Sequence, residues 1–279
     1  MLECVINVSE GRDRSVIRRI ADAGGVCMLD VHSDPHHNRS VVTLAGGGVE
    51  GAAQAVATEA VRCIDLRLHV GVHPRVGAVD VVPFVPLAGS SMDDAVAARD
   101  RFAAWAGDEL GVPCFLYGPE RTLPDVRRHA FTGLNPDTGP PVAHPTAGAI
   151  CAGARPVLVA YNVWLAAGVD VATARRIAKA IRGPGLRALG LDVGGRAQVS
   201  MNLVDPERLT PADAYDAVAA LAPVDRAELV GLVPAAVLAA VPVERWAQVD
   251  LYRDDALPPA VAGALDLDLP RRRGFDRPG

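Results

Sequence analysis

Residues 2–8 carry Cys4, Ile6 and Val8 at a spacing of two, which predicts a strand with one apolar face, ending at the polar group Asn7, Ser9 and Glu10. Over 12–23 the period changes: charges alternate with Val16, Ile17 and Ile20 at helical spacing. Two apolar runs, 26–32 and 39–45, flank Ser33-Asp34-Pro35-His36-His37-Asn38, whose turn chemistry predicts a hairpin. An alanine-rich helix is predicted over 49–63, a strand over Val79–Val85, a helix over Asp93–Leu110 with a stripe through Val96, Phe102, Trp105 and Leu110, and a strand over Val112–Tyr117. Pro83 and Pro86 suggest that the Val79–Val85 strand lies at an edge or a strand end. This half reads as an open α/β layer, strands backed by helices on one face.

From Arg121 to Thr146 the pattern breaks down among Pro124, Pro136, Pro140, Pro141 and Pro145, and a connection of that length without periodicity is usually functional or mobile. A strand–helix–strand–strand–helix rhythm then resumes over Pro156–Trp164, Val171–Arg182, Leu186–Val193, Ala197–Val204 and Pro211–Leu221. The pattern divides the chain into two α/β subdomains, 1–152 and 153–256, followed by a proline-rich, charged stretch, 257–279, expected to be a flexible tail.

A chain of 279 residues has room for a substantial core, and its apolar residues, mostly Ala and Val broken by charges, give no run long enough for a transmembrane helix. The start, Met1-Leu2-Glu3-Cys4, lacks the basic and apolar regions of a secretory signal, so a cytoplasmic protein is expected. A net charge of −5 argues against a nucleic-acid-binding surface. Five scattered cysteines (4, 27, 63, 114 and 151) without Cys-x-x-Cys spacing fit neither a disulfide framework nor a cysteine zinc site. Lys179, the only lysine, sits in a charge-rich helical pattern, which disfavours Schiff-base chemistry.

The candidate chemistry concentrates in His69-Val70-Gly71-Val72-His73-Pro74-Arg75-Val76-Gly77, just before the Val79 strand. Pro74 pushes His73 out of the helical region, and an imidazole held on extended backbone is suited to proton exchange near neutral pH. A buried loop histidine bonded to a carbonyl is the competing reading. His69 and His73 would suit zinc if helical, but extended backbone separates them, and no metal is expected. His36 and His37 are expected to be solvated in their turn. Gln198, Ser200 and Asn202 project from one face of a strand, with Val199, Met201 and Leu203 on the other.

The histidine loop resembles the motif of glutamate formiminotransferases, close to His-x-Gly-Glu-His-Pro-Arg-x-Gly-Ala-x-Asp-Val-x-Pro-Phe-x-Pro, the domain also found in formiminotransferase-cyclodeaminases. Further matches follow in the same order: Glu3–Gly11, Leu29–Val31, Asn38–Val41, Gly111–Gly118, Pro136–Pro140, Gly153–Arg155, Ala160–Asn162, Ala197–Leu203 and Leu229–Pro234. The resemblance implies an α/β (α+β) fold of two ferredoxin-like sandwich subdomains, with mixed sheets and helices on one face, enclosing a cleft, in a homodimer. It implies a one-carbon transferase that moves a formimino group from N-formiminoglutamate to N5 of tetrahydrofolate, a co-substrate. His73, Arg75 and His32 would then be catalytic, Asn7, Arg39 and His69 substrate-binding, and Gly139, Pro140, His144, Thr146, Gly148, Gln198 and Asn202 folate-binding. The chain ends where such a transferase region ends, so no cyclodeaminase region is expected.

Several positions depart from the family form. Val72 replaces a glutamate, His32 stands near an expected acid, Ala147 replaces an aromatic residue, and His144 has no counterpart. These departures keep two other readings open, a metal-assisted amidine or amide hydrolase and a folate-binding protein without turnover.

Overall fold

The computed structural model describes residues 1–72, 74–253 and 256–257. They form two units, Met1–Pro156 and the residues from Val157 onward. His73 and residues 258–279, most of the expected tail, lie outside the described residues; Leu257 is buried and donates its N–H to the Val233 carbonyl at 2.7 Å.

The first unit runs β1 (Leu2–Val8), α1 (Arg14–Asp22), β2 (Met28–Asp34), β3 (Arg39–Ala45), α2 (Val49–Cys63), β4 (Val79–Pro86), α3 (Met92–Glu109), β5 (Cys114–Tyr117), α4 (Leu123–His129) and β6 (Ile150–Ala154). Its sheet has the order β2-β3-β1-β4-β6-β5. The first six elements are a βαββαβ unit, the ferredoxin-like path, and β6 and β5 extend it as parallel strands. Cys4, Ile6 and Val8 face the helices, packing with Ile17 and Ile20 of α1, Val56 of α2 and Phe102 of α3. Polar ends fix these helices locally: Asp13 accepts the Ser15 and Val16 amides ahead of α1, and Ser91 and Asp94 form a capping box on α3.

Two features differ from the sequence expectation. The Val79 strand is internal, paired antiparallel with β1 and parallel with β6. Pro86 lies at the strand end, as expected, and Pro83 is tolerated inside the strand because the β1–β4 pairing joins Leu2, Glu3 and Cys4 to Pro86, Val85 and Phe84 and resumes at Asn7 with Val81, skipping the position opposite Pro83, which has no N–H to give. The aperiodic 121–146 connection contains α4, started by Thr122, which accepts the Asp125 N–H, with Pro124 in the first turn. Only Val126 of α4 is buried, so no periodicity announces it. It covers Val81, Phe115, Tyr117 and Cys151 on the sheet face opposite α1–α3.

The second unit runs β7 (Val159–Leu165), α5 (Val171–Ile181), β8 (Leu186–Val193), β9 (Arg196–Leu203), α6 (Pro211–Ala219), β10 (Val224–Val230) and α7 (Ala235–Ala240). Its antiparallel sheet, β10-β7-β9-β8, repeats the βαββαβ path. Val199, Met201 and Leu203 of β9 join Val159, Tyr161 and Val163 of β7 in a core with Ala174 and Ile177 of α5. The α/β (α+β), two-subdomain architecture is therefore the observed one. No helix among the described residues is long and apolar enough to cross a membrane.

Candidate functional site

Strand directions gather the motifs. Because β1 runs antiparallel to β3 and β4, while β4, β6 and β5 are parallel, one end of the first sheet carries the C-terminal ends of β1 and β2 and the N-terminal ends of β3, β4, β5 and β6. The 9–13, 35–38, 64–78 and 130–149 connections all leave from that end.

Asn38 ties three of them together. Its backbone takes the left-handed conformation (φ 49°), which asparagine tolerates in turns. Its side chain, 6% exposed with the rest of the residue, accepts the Gly11 N–H at 2.9 Å and donates to the Val70 carbonyl at 3.0 Å. The His69 ring donates from Nε2 to the Asn38 carbonyl at 3.0 Å and accepts from Arg75 at Nδ1. Arg75 also donates to the His37 carbonyl at 3.3 Å. Gly71 is required where the chain passes this knot, since a Cβ there would lie 2.5 Å from the His37 carbonyl oxygen. Arg12 donates to the Pro35 carbonyl at 2.8 Å, bringing a second guanidinium to the cluster. Burial pushes the Arg75 guanidinium below the ordinary arginine range, and Arg12 adds to this against the pull of Asp80.

The 35–38 turn is less open than its composition suggests. Asp34 accepts the backbone N–H groups of His36 and His37, and its carboxylate lies 3.8 Å from the His37 ring. His37 is accordingly buried rather than solvated, whereas His36 is exposed. Arg39 follows at the start of β3, opposite Asp34.

The 144–148 turn sits on the base of the histidine loop. Ala78 donates to the Ala147 carbonyl and Ala149 to the Val76 carbonyl, at 2.8 and 3.0 Å, and Ser9 donates to the Ala78 carbonyl at 2.8 Å. Gly148 (φ 69°) fits because a Cβ would lie 2.2 Å from the Val76 carbonyl oxygen. Gly139, with Pro140 after it, packs instead against Gly107 of α3 and Pro113, at the start of β5. The amides of Thr146, Ala147 and Gly148 are all bonded to His144. Asp80, 1% exposed, anchors the other side by accepting the Val76 N–H at 2.7 Å and pairing with Arg127 of α4.

Asn7 and His32 are set back from these loops on the sheet itself. They share a cross-sheet row, His32–Val41–Asn7–Val81, about 10 Å apart from the strand spacing. Glu3 is on the same face as Asn7; at 4% exposure its burial raises the carboxyl to about 7, with Arg155 opposing the shift. Burial also pushes the Cys114 thiol up to about 12 and those of Cys4 and Cys151 well above the ordinary range, which removes them as thiolate nucleophiles.

Two candidates belong to the second unit. Gln198, fully buried, lies between Trp164 and Leu191 on the β9 face away from the helices, and Asn202, exposed, between Ala160 and Arg187. On β7, Asn162 and Trp164 both donate to Glu228 of β10, at 3.1 and 3.0 Å, and Arg226 stacks over the indole at 4.6 Å. Sequence reasoning missed this Trp164–Glu228 pair and the bridging role of Asn38. A run of mixed apolar and charged residues over 224–230 was the available signal for the first, and an asparagine closing a turn for the second.

A family model described as the formiminotransferase domain, N-terminal subdomain, matches residues 1–155. The glutamate formimidoyltransferase of Streptococcus pyogenes serotype M1 is 37% identical, over 90% of this chain and 94% of its own length. The chain belongs to the formiminotransferase family. The glutamate formimidoyltransferase of Thermoplasma acidophilum is 38% identical over 84% of this chain and 88% of its own length. The formimidoyltransferase-cyclodeaminase of Gallus gallus is 39% identical over 84% of this chain, a match that spans 50% of that longer protein. This chain is thus a transferase. Within this formiminotransferase the unusual Val72 is 54% exposed, Ala147 is buried at 1%, and His144 is occupied inside its own turn.

Proposed function

We propose that this formiminotransferase moves the formimino group of N-formiminoglutamate, or of a related amidine, to N5 of tetrahydrofolate, with His73 as general acid and base. N5 attacks the amidine carbon to give a tetrahedral adduct; the new N5–carbon bond forms, the bond from carbon to the glutamate nitrogen breaks, and one proton passes from N5 to the leaving nitrogen. A single imidazole serves both halves by accepting the first proton and returning it. The reading is carried by family membership across most of the chain together with an intact His73-Pro74-Arg75 sequence. Arg75 and Arg12 in adjoining loops, with Arg39 at the start of β3, suit the carboxylates that both substrates bear. The same reading takes the enzyme as cytoplasmic and as a homodimer, and light scattering on the purified protein checks the dimer.

The test is a spectrophotometric assay with tetrahydrofolate and N-formiminoglutamate, following the 5-formimino product. Turnover in the parent, lost in His73→Ala while folate affinity stays within about tenfold, is the expected result for a missing acid–base group. Unchanged turnover in His73→Ala removes that residue from the mechanism. A parent that binds folate and turns nothing over points to a different donor or to a binding role.

A further inference from the structure

One imidazole holds the Pro145-Thr146-Ala147 turn from within. His144 and Gly148 exchange both backbone hydrogen bonds, at 2.8 and 2.9 Å, and inside that ring His144 Nδ1 accepts the Ala147 N–H at 3.0 Å and the Thr146 N–H at 3.4 Å, with the Thr146 hydroxyl at 3.5 Å. An imidazole with its hydrogen on Nε2 offers the Nδ1 lone pair these donors need. With its amides turned inward, the turn directs its carbonyls outward. Thr146 accepts the Leu66 N–H and Ala147 the Ala78 N–H, both at 2.8 Å. Leu66 begins and Ala78 ends the segment that bears His69, His73 and Arg75. A single turn therefore clamps both ends of the histidine loop.

We infer that His144 is a positioning residue: its Nδ1 shapes the 145–147 turn so that two neighbouring carbonyls fix both ends of the loop carrying His73 and Arg75. Charged groups on the segments packed against the turn have other partners. Asp65 pairs with Arg67, Arg75 bonds His69, and Asp80 takes Val76 and Arg127. The ring is thus the group whose acceptor organises the turn. The catalytic part of the inference rests on the proposed formimino transfer; the clamp does not.

The experiment compares His144→Asn, whose side-chain oxygen stands where Nδ1 stands, with His144→Leu, which has the same reach and no acceptor. Hydrogen exchange is read at the Leu66 and Ala78 amides, and kcat and KM for tetrahydrofolate are measured alongside. The leucine variant is expected to speed exchange at both amides at least about tenfold and to lower kcat/KM for tetrahydrofolate by a similar factor, while asparagine keeps exchange at both amides within about threefold of the parent. Unaltered exchange in the leucine variant, or an asparagine variant as perturbed as leucine, overturns the inference. If leucine unfolds the first unit, asparagine is compared with His144→Gln, whose acceptor lies one carbon further out: protection in the first and exchange in the second supports the clamp, and equal behaviour overturns it. A parent without transfer activity refutes the proposed function alone, because the exchange measurements still decide the clamp.

Discussion

Asn38 joins the 9–13 loop, its own turn and the histidine loop, so its removal isolates what holds the candidate site together. In Asn38→Ala the Gly11 N–H and the Val70 carbonyl, bonded at 2.9 and 3.0 Å, lose their partner in a buried place. Each lost bond costs about 1 kcal/mol. Alanine must also hold the left-handed backbone at φ 49°, which adds about 1 kcal/mol. The expected loss is about 3 kcal/mol in the first unit, and Asn38→Gly, which removes the bonds without the strain, is expected near 2 kcal/mol. The assay is urea unfolding read by hydrogen exchange on peptides of the first unit, so that the second unit does not mask the transition. A loss under about 1 kcal/mol for alanine would mean that water replaces both bonds without cost. Equal losses for alanine and glycine would refute the strain argument.

Glu3 makes stability depend on pH in a defined direction. Its carboxyl is raised from 4.5 to about 7 by burial, so between those values the folded protein holds a proton that the unfolded chain has released. Stability should fall by up to about 3 kcal/mol as pH rises from 4.5 to about 7 and level off above, and Glu3→Gln should abolish that slope in unfolding curves taken across this range. Arg127→Ala strips the guanidinium from Asp80, which is 1% exposed, and is expected to cost about 3–5 kcal/mol, whereas Asp80→Asn combined with it should recover part of the loss in a double-mutant cycle. Additive effects of the two changes would show that the pair is not coupled.

The sequence was most legible where one face of an element is buried and the other is wet. Residues 49–63 appear as α2 and 186–193 as β8 with the expected limits, because alanines or alternating apolar residues write the burial pattern directly. The polar row Gln198, Ser200 and Asn202 also lies on one face of β9, as the spacing of two requires. What escaped was structure held by single contacts. α4 buries only Val126, β10 carries Asp225, Arg226 and Glu228 along an edge, and His37 is buried in a turn whose N–H groups the Asp34 carboxylate accepts. Pro83 misled because the usual rule counts the missing donor but not the partner strand that omits pairing at that point. At the site, resemblance named the loops, and only topology revealed that they leave from one end of one sheet.

The place of β6 has a consequence for how that end comes into being. It lies between β4 and β5, although both precede it in the chain, so a ribosome delivers the two outer strands first and the filler last. In the folded sheet β4 and β5 stand two strand spacings apart, about 10 Å, and β6 fills the gap by pairing in parallel with both. The 144–148 turn is tethered directly to that late strand. A nascent chain halted before His144 therefore carries every residue of the histidine loop yet lacks both the turn that seats it and the strand that anchors the turn, and the working end of the sheet is completed by their insertion.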